Sequence, residues 1–492
     1  MKIEFLQEPP LEFGGEGTHI DVRYGLMQYG PLDRGTGPAP SQLKVGIVGT
    51  KETIEGIQAW LEHCKTRIEG KESRLSNLFP AFPGFSENSC FGSTIVVNEK
   101  WCAVIHKREI EGLLSSAEAD QVCEFAVDLF LQSAQSVLEK GGPVVLICAP
   151  PQDLLTMLDA RSSSQQDNLD EEIDEGSETS VIKRLQRQPY FHDVLKAKAM
   201  RLGIPVQMVR PQTYSGLRLR VKPNGSMSGR SLQDEATRAW NFHTALYYKA
   251  GGVPWRMVRD SSDLSSCFVG ISFYKSLEGD KLLTSVAQVF NERGEGVIVK
   301  GGQAQLDKDD KTPHLSLYDA NTLLKAAIQA YRREHRTNPA RVVIHKTSKM
   351  NEQEIEGFKT SSQEERIDST DLLSVRRSFT RLFRESTYPP LRGTYLQLGT
   401  QLGLIYMRGS VDFFETYPGL YVPRPLEFLV EESDTTQLQL AKELFSLSKL
   451  NWNNTQFDGS EPITVRAARR VGDILKCVVE GETLQPAYRY FM

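Results

Sequence analysis

The residues with most to say about chemistry are His192 and Lys196, four positions apart in FHDVLKAKAM, then Gln207 in IPVQMVR and Lys249 in FHTALYYKAGG. Positions i and i+4 share one face of a helix, so the imidazole and the ammonium point the same way. Gly203 suits the C′ position that ends such a helix, and the strand that follows carries Gln207. A later helix, stopped by Gly251 and Gly252, delivers Lys249 to a place from which it can reach the same concave corner. A histidine, a carboxamide and two lysines form the donor set of a site for a terminal phosphate. Taken singly, each has an ordinary role as helix cap, solvated lysine or core amide; the joint spacing selects the phosphate site.

Two other features bear on anion binding. GIVGTKET follows an apolar strand but has neither the G-x-x-x-x-G-K-[ST] nor the G-x-G-x-x-G spacing, which speaks against a nucleotide loop. Three basic segments, RVVIHK, SVRRSFTRLFRE and VRAARRV, set Arg376, Arg377, Arg381, Arg384, Arg466, Arg469 and Arg470 at spacings that make cationic faces on helices. Such faces hold phosphate backbones without sequence preference.

The elements that must position these groups read as α/β. The chain has 492 residues, 39% hydrophobic and 25% charged, enough for several domains and a large core. Its net charge of −5 hides a local excess, because the run 167–178 holds seven acids and no base, and without it the remainder sums to +2. The polar tract at about 160–182 reads as a disordered surface loop. Seven scattered cysteines with no C-x-x-C pair argue against a disulfide framework and a structural zinc site. No signal peptide or long apolar run is present in the sequence, which implies a cytoplasmic protein.

Residues 1–40 read as extended strands and turns without a core of their own. Residues 41–255 alternate buried strands (KVGIVGT, VVLICAP, IPVQMVR) with helices, the signature of a parallel, Rossmann-like layer. Residues 256–492 begin with strand CFVGISFYKS, a hairpin through ERGEG, a helix at 318–335 and strand ARVVIHKTS. That order is the RNase H order, with the fourth strand parallel to a central first strand after a crossover helix.

The motifs HDVLK, GIPVQ and KAGGVPW resemble, in order and spacing, the MID pocket of Argonautes, which grips a guide strand's 5′ phosphate. YPGLYVPRPLEF and LSKLNWNNTQFDGSEPITVRAARRVGDIL resemble the PIWI domain of the same family, so the resemblance runs over nearly the whole chain. It implies a MID domain and a PIWI domain after a short extended segment, with His192, Lys196, Gln207 and Lys249 on the guide phosphate. It further implies a Mg²⁺ ion between that phosphate, Gln207 and the carboxylate at Met492, and a short prokaryotic type with no N or PAZ domain. Members of that type resemble one another in working as heterodimers with an APAZ-containing effector (TIR, sirtuin-like or nuclease), switched on when a small guide RNA pairs with single-stranded plasmid or phage DNA.

An RNase H-type nuclease holds two divalent ions on clustered carboxylates. Where the PIWI pattern has its acids or histidine, this chain offers Ser272 in VGISFYK, Lys346 in VVIHKTS and Ala467 in EPITVRAARRV. The expectation is therefore a guide-binding, target-sensing subunit without nuclease activity. The alternatives are an active endonuclease using displaced carboxylates such as Asp307, Asp309 or Asp458, and a small-molecule enzyme built on GIVGT.

Overall fold

The computed structural model describes residues 1–492 save 117–118, 162–189, 217–219, 222–226, 229–232, 259–263, 278–280, 290–295, 308–311, 386–388, 420–421, 480 and 483. The acidic run 167–178, the centre of the ERGEG turn and Asp309 lie outside the described residues.

The chain opens with strand β1 (Lys2–Phe5), which pairs antiparallel with residues 394–397 far along the sequence. Residues 22–29, expected as turn, form the helix Val22–Tyr29 instead. Asp21 caps it, its carboxylate accepting from the N–H groups of Arg23 (2.8 Å) and Tyr24 (3.1 Å), and Val22 and Leu26 are buried. An Asp N-cap and two core contacts outweigh the glycine at position 25, whose missing side chain leaves room for the Phe13 ring.

A four-stranded parallel sheet follows: β2 (Gln42–Gly49), β3 (Thr94–Val104), β4 (Val145–Ala149) and β5 (Val206–Met208), in the order β3-β2-β4-β5. Helices α1 (Lys51–His63), α2 (Ala119–Leu138), α3 (Phe191–Ala199) and α4 (Glu235–Lys249) alternate with the strands or follow them. All five residues of β4 are buried, as expected for a strand covered on both faces. The glycine of GIVGT serves packing: a Cβ on Gly49 would lie 2.4 Å from Thr53 Oγ1 and 2.7 Å from the Ala149 carbonyl oxygen. Thr53 uses that closeness to donate to the Ala149 carbonyl at 2.9 Å.

The second sheet has nine strands. β6 (Ser266–Lys275), β7 (Leu282–Val289) and β8 (Gly296–Gln303) form an antiparallel meander. Helix α5 (Leu317–His335) crosses to β9 (Arg341–Lys346), which pairs parallel with β6. Helix α6 (Glu352–Glu364) then leads to β10 (Ser369–Arg377), parallel to β9. β11 (Thr394–Gln397), β12 (Leu402–Ile405) and β13 (Leu426–Glu432) complete the order β1-β11-β12-β13-β10-β9-β6-β7-β8. The RNase H order read from the sequence is thus present, with the N-terminal strand added at the far edge.

Two layers cover this sheet. Cys267, Val269 and Ile271 of β6 share a core with Leu324 and Ile328 of α5 and Phe358 of α6. On the other face, α8 (Ile463–Leu475), which follows α7 (Gln437–Leu447), lies so close that a Cβ on Gly270 would sit 2.1 Å from the Thr464 carbonyl oxygen. Only glycine admits that approach.

Candidate functional site

Helix α3 supplies three side chains to one pocket. Lys196 is 2% exposed and its Nζ donates to the Val206 carbonyl oxygen at the start of β5. His192 lies one turn earlier, and Asp193 beside it is buried. Lys249, the last residue of α4, is 1% exposed, and its Nζ has no hydrogen-bond partner among the described residues. Gln207 of β5 donates through Nε2 to the Met208 carbonyl oxygen (3.3 Å), while its Oε1 is buried without a partner.

The sixth member comes from the other sheet's covering helix. Arg470 of α8 donates to His192 Nδ1 at 3.1 Å and stands 3.7 Å from Asp193 Oδ1. Asp193 Oδ1 is also 3.0 Å from His192 Nδ1. A single ring nitrogen cannot serve both neighbours at once: protonated it donates to Asp193, bare it accepts from Arg470. Burial, followed by Arg470, pushes the imidazole down to about 4, so the ring is neutral at neutral pH and its tautomer decides which neighbour Nδ1 serves.

The two amines are crowded in the same way. Burial first, then the charges of Lys249 and Arg470, hold Lys196 well below the ordinary lysine range. Burial and then Arg470 push Lys249 down to about 7. Against Lys196, Lys249 and Arg470, the nearby anion is Asp193, which Arg470 and His192 keep ionised although burial opposes it. Two buried amines and a partly buried guanidinium facing one carboxylate make a site in which an added anion would favour the charged amines. The carboxamide oxygen of Gln207 adds a hard oxygen of the kind Mg²⁺ takes.

Chain-end residues pack beside this pocket. Tyr490 Oη donates to the Gly203 carbonyl (2.8 Å), Gln485 Nε2 to that of Met200 (3.3 Å), and Phe491 and Met492 are buried.

The positions compared with a nuclease centre divide between the two faces of the nine-stranded sheet. Gly270 abuts Thr464, so Ser272, two residues on, faces α8; Ala467, one helical turn beyond Thr464, shares that layer. Lys346 does not join them. It is registered beside Ile271, whose side chain faces α5 and α6, and it is buried there. Its Nζ donates to the carbonyls of Pro313 (3.1 Å) and Lys349 (2.9 Å) and lies 2.9 Å from Glu354 Oε1. The residue of β9 on the Ser272 side is His345, which is registered beside Gly270 and whose Nδ1 lies 2.9 Å from Thr464 Oγ1. The three positions read from the sequence are thus not brought together: Ser272 and Ala467 share the α8 face and Lys346 lies on the other.

Of the acids considered as replacements, Asp307 is exposed and Asp458 lies 3.7 Å from Arg408. Among the described residues, no three His, Cys, Asp or Glu side chains come together as a metal site. The basic segments are largely engaged. Glu427 holds Arg376 (2.5 Å), and Glu461 holds Arg377 (3.4 Å) and Arg469 (2.6 Å). Arg381 is exposed, and Arg466 is within electrostatic reach of the buried Tyr488. Of the seven arginines named from the sequence, Arg470 enters the pocket with His192, and Asp193 enters unforeseen. The signal in the sequence was the i, i+4 pair Arg466 and Arg470; nothing in it named their partner.

A Rossmann-like sheet carrying a pocket of buried amines, joined to an RNase H-like sheet, is the class of fold these observations define. No family model and no curated protein matches the chain. Solved structures do. Clostridium butyricum Argonaute, bound to a guide DNA with a 5′ deoxycytidine and a 19-mer target DNA, is similar at a TM-score of 0.62 and 15% identity, over 98% of this chain and 53% of that one. Drosophila Piwi is similar at 0.58 and 11%, over 99% of this chain and 56% of that one. The chain has the fold of Argonaute and Piwi proteins and spans about half the length of these two. Among the described residues, no helix is long and apolar enough to cross a membrane.

Proposed function

We propose that this chain is the guide-binding, target-sensing subunit of an Argonaute complex of the short prokaryotic type. The observation that carries the reading is the convergence of Lys196, Lys249 and Arg470 on a buried Lys249 Nζ that has no partner among the described residues, since a guide's 5′ phosphate supplies an anion there. Lys249 Nζ and the Arg470 guanidinium donate to phosphate oxygens, Lys196 holds the floor of the pocket through the Val206 carbonyl, and Asp193 orients His192 and Arg470. Gln207 Oε1, buried without a hydrogen-bond partner among the described residues, is the oxygen that would hold Mg²⁺, which when bound would neutralise part of the phosphate charge.

The guide is RNA and the target single-stranded DNA, held against the nine-stranded sheet by backbone contacts. Ser272 and Ala467 offer no metal-binding carboxylate on the α8 face and Lys346 none on the other, so the duplex is held without being cut. Pairing along the guide shifts an associated APAZ-containing effector (TIR, sirtuin-like or nuclease) from silent to active, in defence against plasmids or phage. These roles of guide, target and partner extend the resemblance in the motifs.

The test is to titrate the purified protein with 5′-phosphorylated and 5′-hydroxyl RNAs of one sequence. The phosphorylated form is expected to bind at least tenfold more tightly; equal affinities would remove the pocket assignment. Purifying the native complex and sequencing its nucleic acid then identifies guide, target and partner together.

A further inference from the structure

Residues 378–384, SFTRLFR, leave β10 at the C-terminal end of the parallel strands β6, β9 and β10. Ligands of open α/β sheets gather at that end. The segment displays the two most exposed phenylalanines among the described residues, Phe379 at 69% and Phe383 at 83%.

The display is built. The Ser378 N–H donates to the Pro425 carbonyl (3.0 Å), and the Leu382 N–H to Tyr406 Oη (2.8 Å). Arg381 folds back so that its guanidinium donates to the carbonyls of Phe379 (3.3 Å) and Thr380 (3.1 Å). The Arg424 guanidinium lies 5.9 Å from the Phe379 ring centroid. Two aromatic rings are thus held in water by a fixed backbone and interleaved with guanidinium groups. A protein-docking face would gather its apolar groups into one patch; alternating rings and cations fit a polyanion that carries flat bases.

We infer that segment 378–384 is a base-stacking platform for single-stranded nucleic acid, with Phe379 and Phe383 receiving unpaired bases and Arg381 and Arg384 meeting the adjoining phosphates. The inference rests on the nucleic-acid reading above but not on the phosphate pocket. Stacking on an aromatic ring tolerates any base, so the platform adds affinity without sequence preference.

The experiment titrates the full chain and its Phe379→Ala/Phe383→Ala variant with 5′-phosphorylated and 5′-hydroxyl oligonucleotides carrying 2-aminopurine at successive positions. The double variant is expected to lose roughly twentyfold or more in affinity for both oligonucleotides, from the usual worth of two stacked rings. It should also lose the 2-aminopurine quenching at one or two positions, keep the ratio between the two 5′ ends, and recover with Phe379→Trp/Phe383→Trp. Unchanged affinity and quenching would overturn the platform, as would variants that keep nucleic acid but lose a co-purifying protein. A loss of affinity in a protein indifferent to the 5′ end would sustain the platform while removing the pocket; no binding of either oligonucleotide removes both.

Discussion

Replacing Lys249 with methionine separates a ligand-binding lysine from a structural one, because the two roles predict opposite signs. In the free protein the Lys249 amine is buried with no hydrogen-bond partner among the described residues and faces Arg470 and Lys196, with Asp193 the nearby acid. An unsatisfied buried donor costs about 1–3 kcal/mol, so Lys249→Met should stabilise the free protein by that order, raising its melting temperature by a few degrees. A charge-assisted hydrogen bond to phosphate contributes about 1.5–3 kcal/mol, so the same change should weaken 5′-phosphorylated guide by roughly 10- to 150-fold and 5′-hydroxyl guide far less. The pH dependence has a definite sign. Lys249 is held down to about 7 in the fold, against 10.5 ordinarily, so the unfolded chain binds more protons between those values and native stability rises with pH across that window. Wild type should therefore gain on Lys249→Met as pH is raised from 7 to 10, while its preference for a 5′ phosphate declines over the same range. Thermal unfolding and fluorescence anisotropy at several pH values measure both. A destabilised Lys249→Met variant with undiminished preference for the phosphate would refute the reasoning.

Other outcomes follow from the same contacts. Arg470→Ala should lower affinity for 5′-phosphorylated guide about tenfold. It should also raise the His192 titration point, which NMR can follow, because the second cause holding it near 4 is removed. Lys346→Met leaves Glu354 charged and buried, and should destabilise the fold by about 3–5 kcal/mol in denaturant melts, with Lys346→Met/Glu354→Gln recovering part of the loss. With Mg²⁺ or Mn²⁺, guide and labelled complementary strand, the purified chain should release no cleavage product; a product lost on changing Asp307 or Asp458 would restore the nuclease alternative.

Features written locally were legible in the sequence. The four-residue period gave His192 and Lys196 a common face, Gly203 (φ 71°) ended their helix, and strand, hairpin, helix, strand gave the topology around β6. Less legible was what depends on tertiary pairing. Arg470 meets His192 across 278 positions, and no pattern in either segment encodes that meeting. The face on which Lys346 emerges turned on a single residue of register, where a period-two element changes sides. Asp193 escaped notice because an acid in a phosphate pocket looks out of place until Arg470 is seen beside it.

The pairing of β1 with β11 carries a consequence for how the molecule is made. Glu8, just after β1, is 2.9 Å from Lys449 Nζ and 3.0 Å from Arg392 Nε, and both cations are buried. At a synthesis rate of roughly 5–20 residues per second, the first strand leaves the ribosome about 20–80 s before its partner at residue 394 exists. Until then β1 is an unpaired strand and Glu8 an acid awaiting its bases. Once made, the sheet takes as its edge a segment made long before its partner, so cutting after residue 8 would strip an edge strand and leave two buried positive charges without their acid at the same stroke.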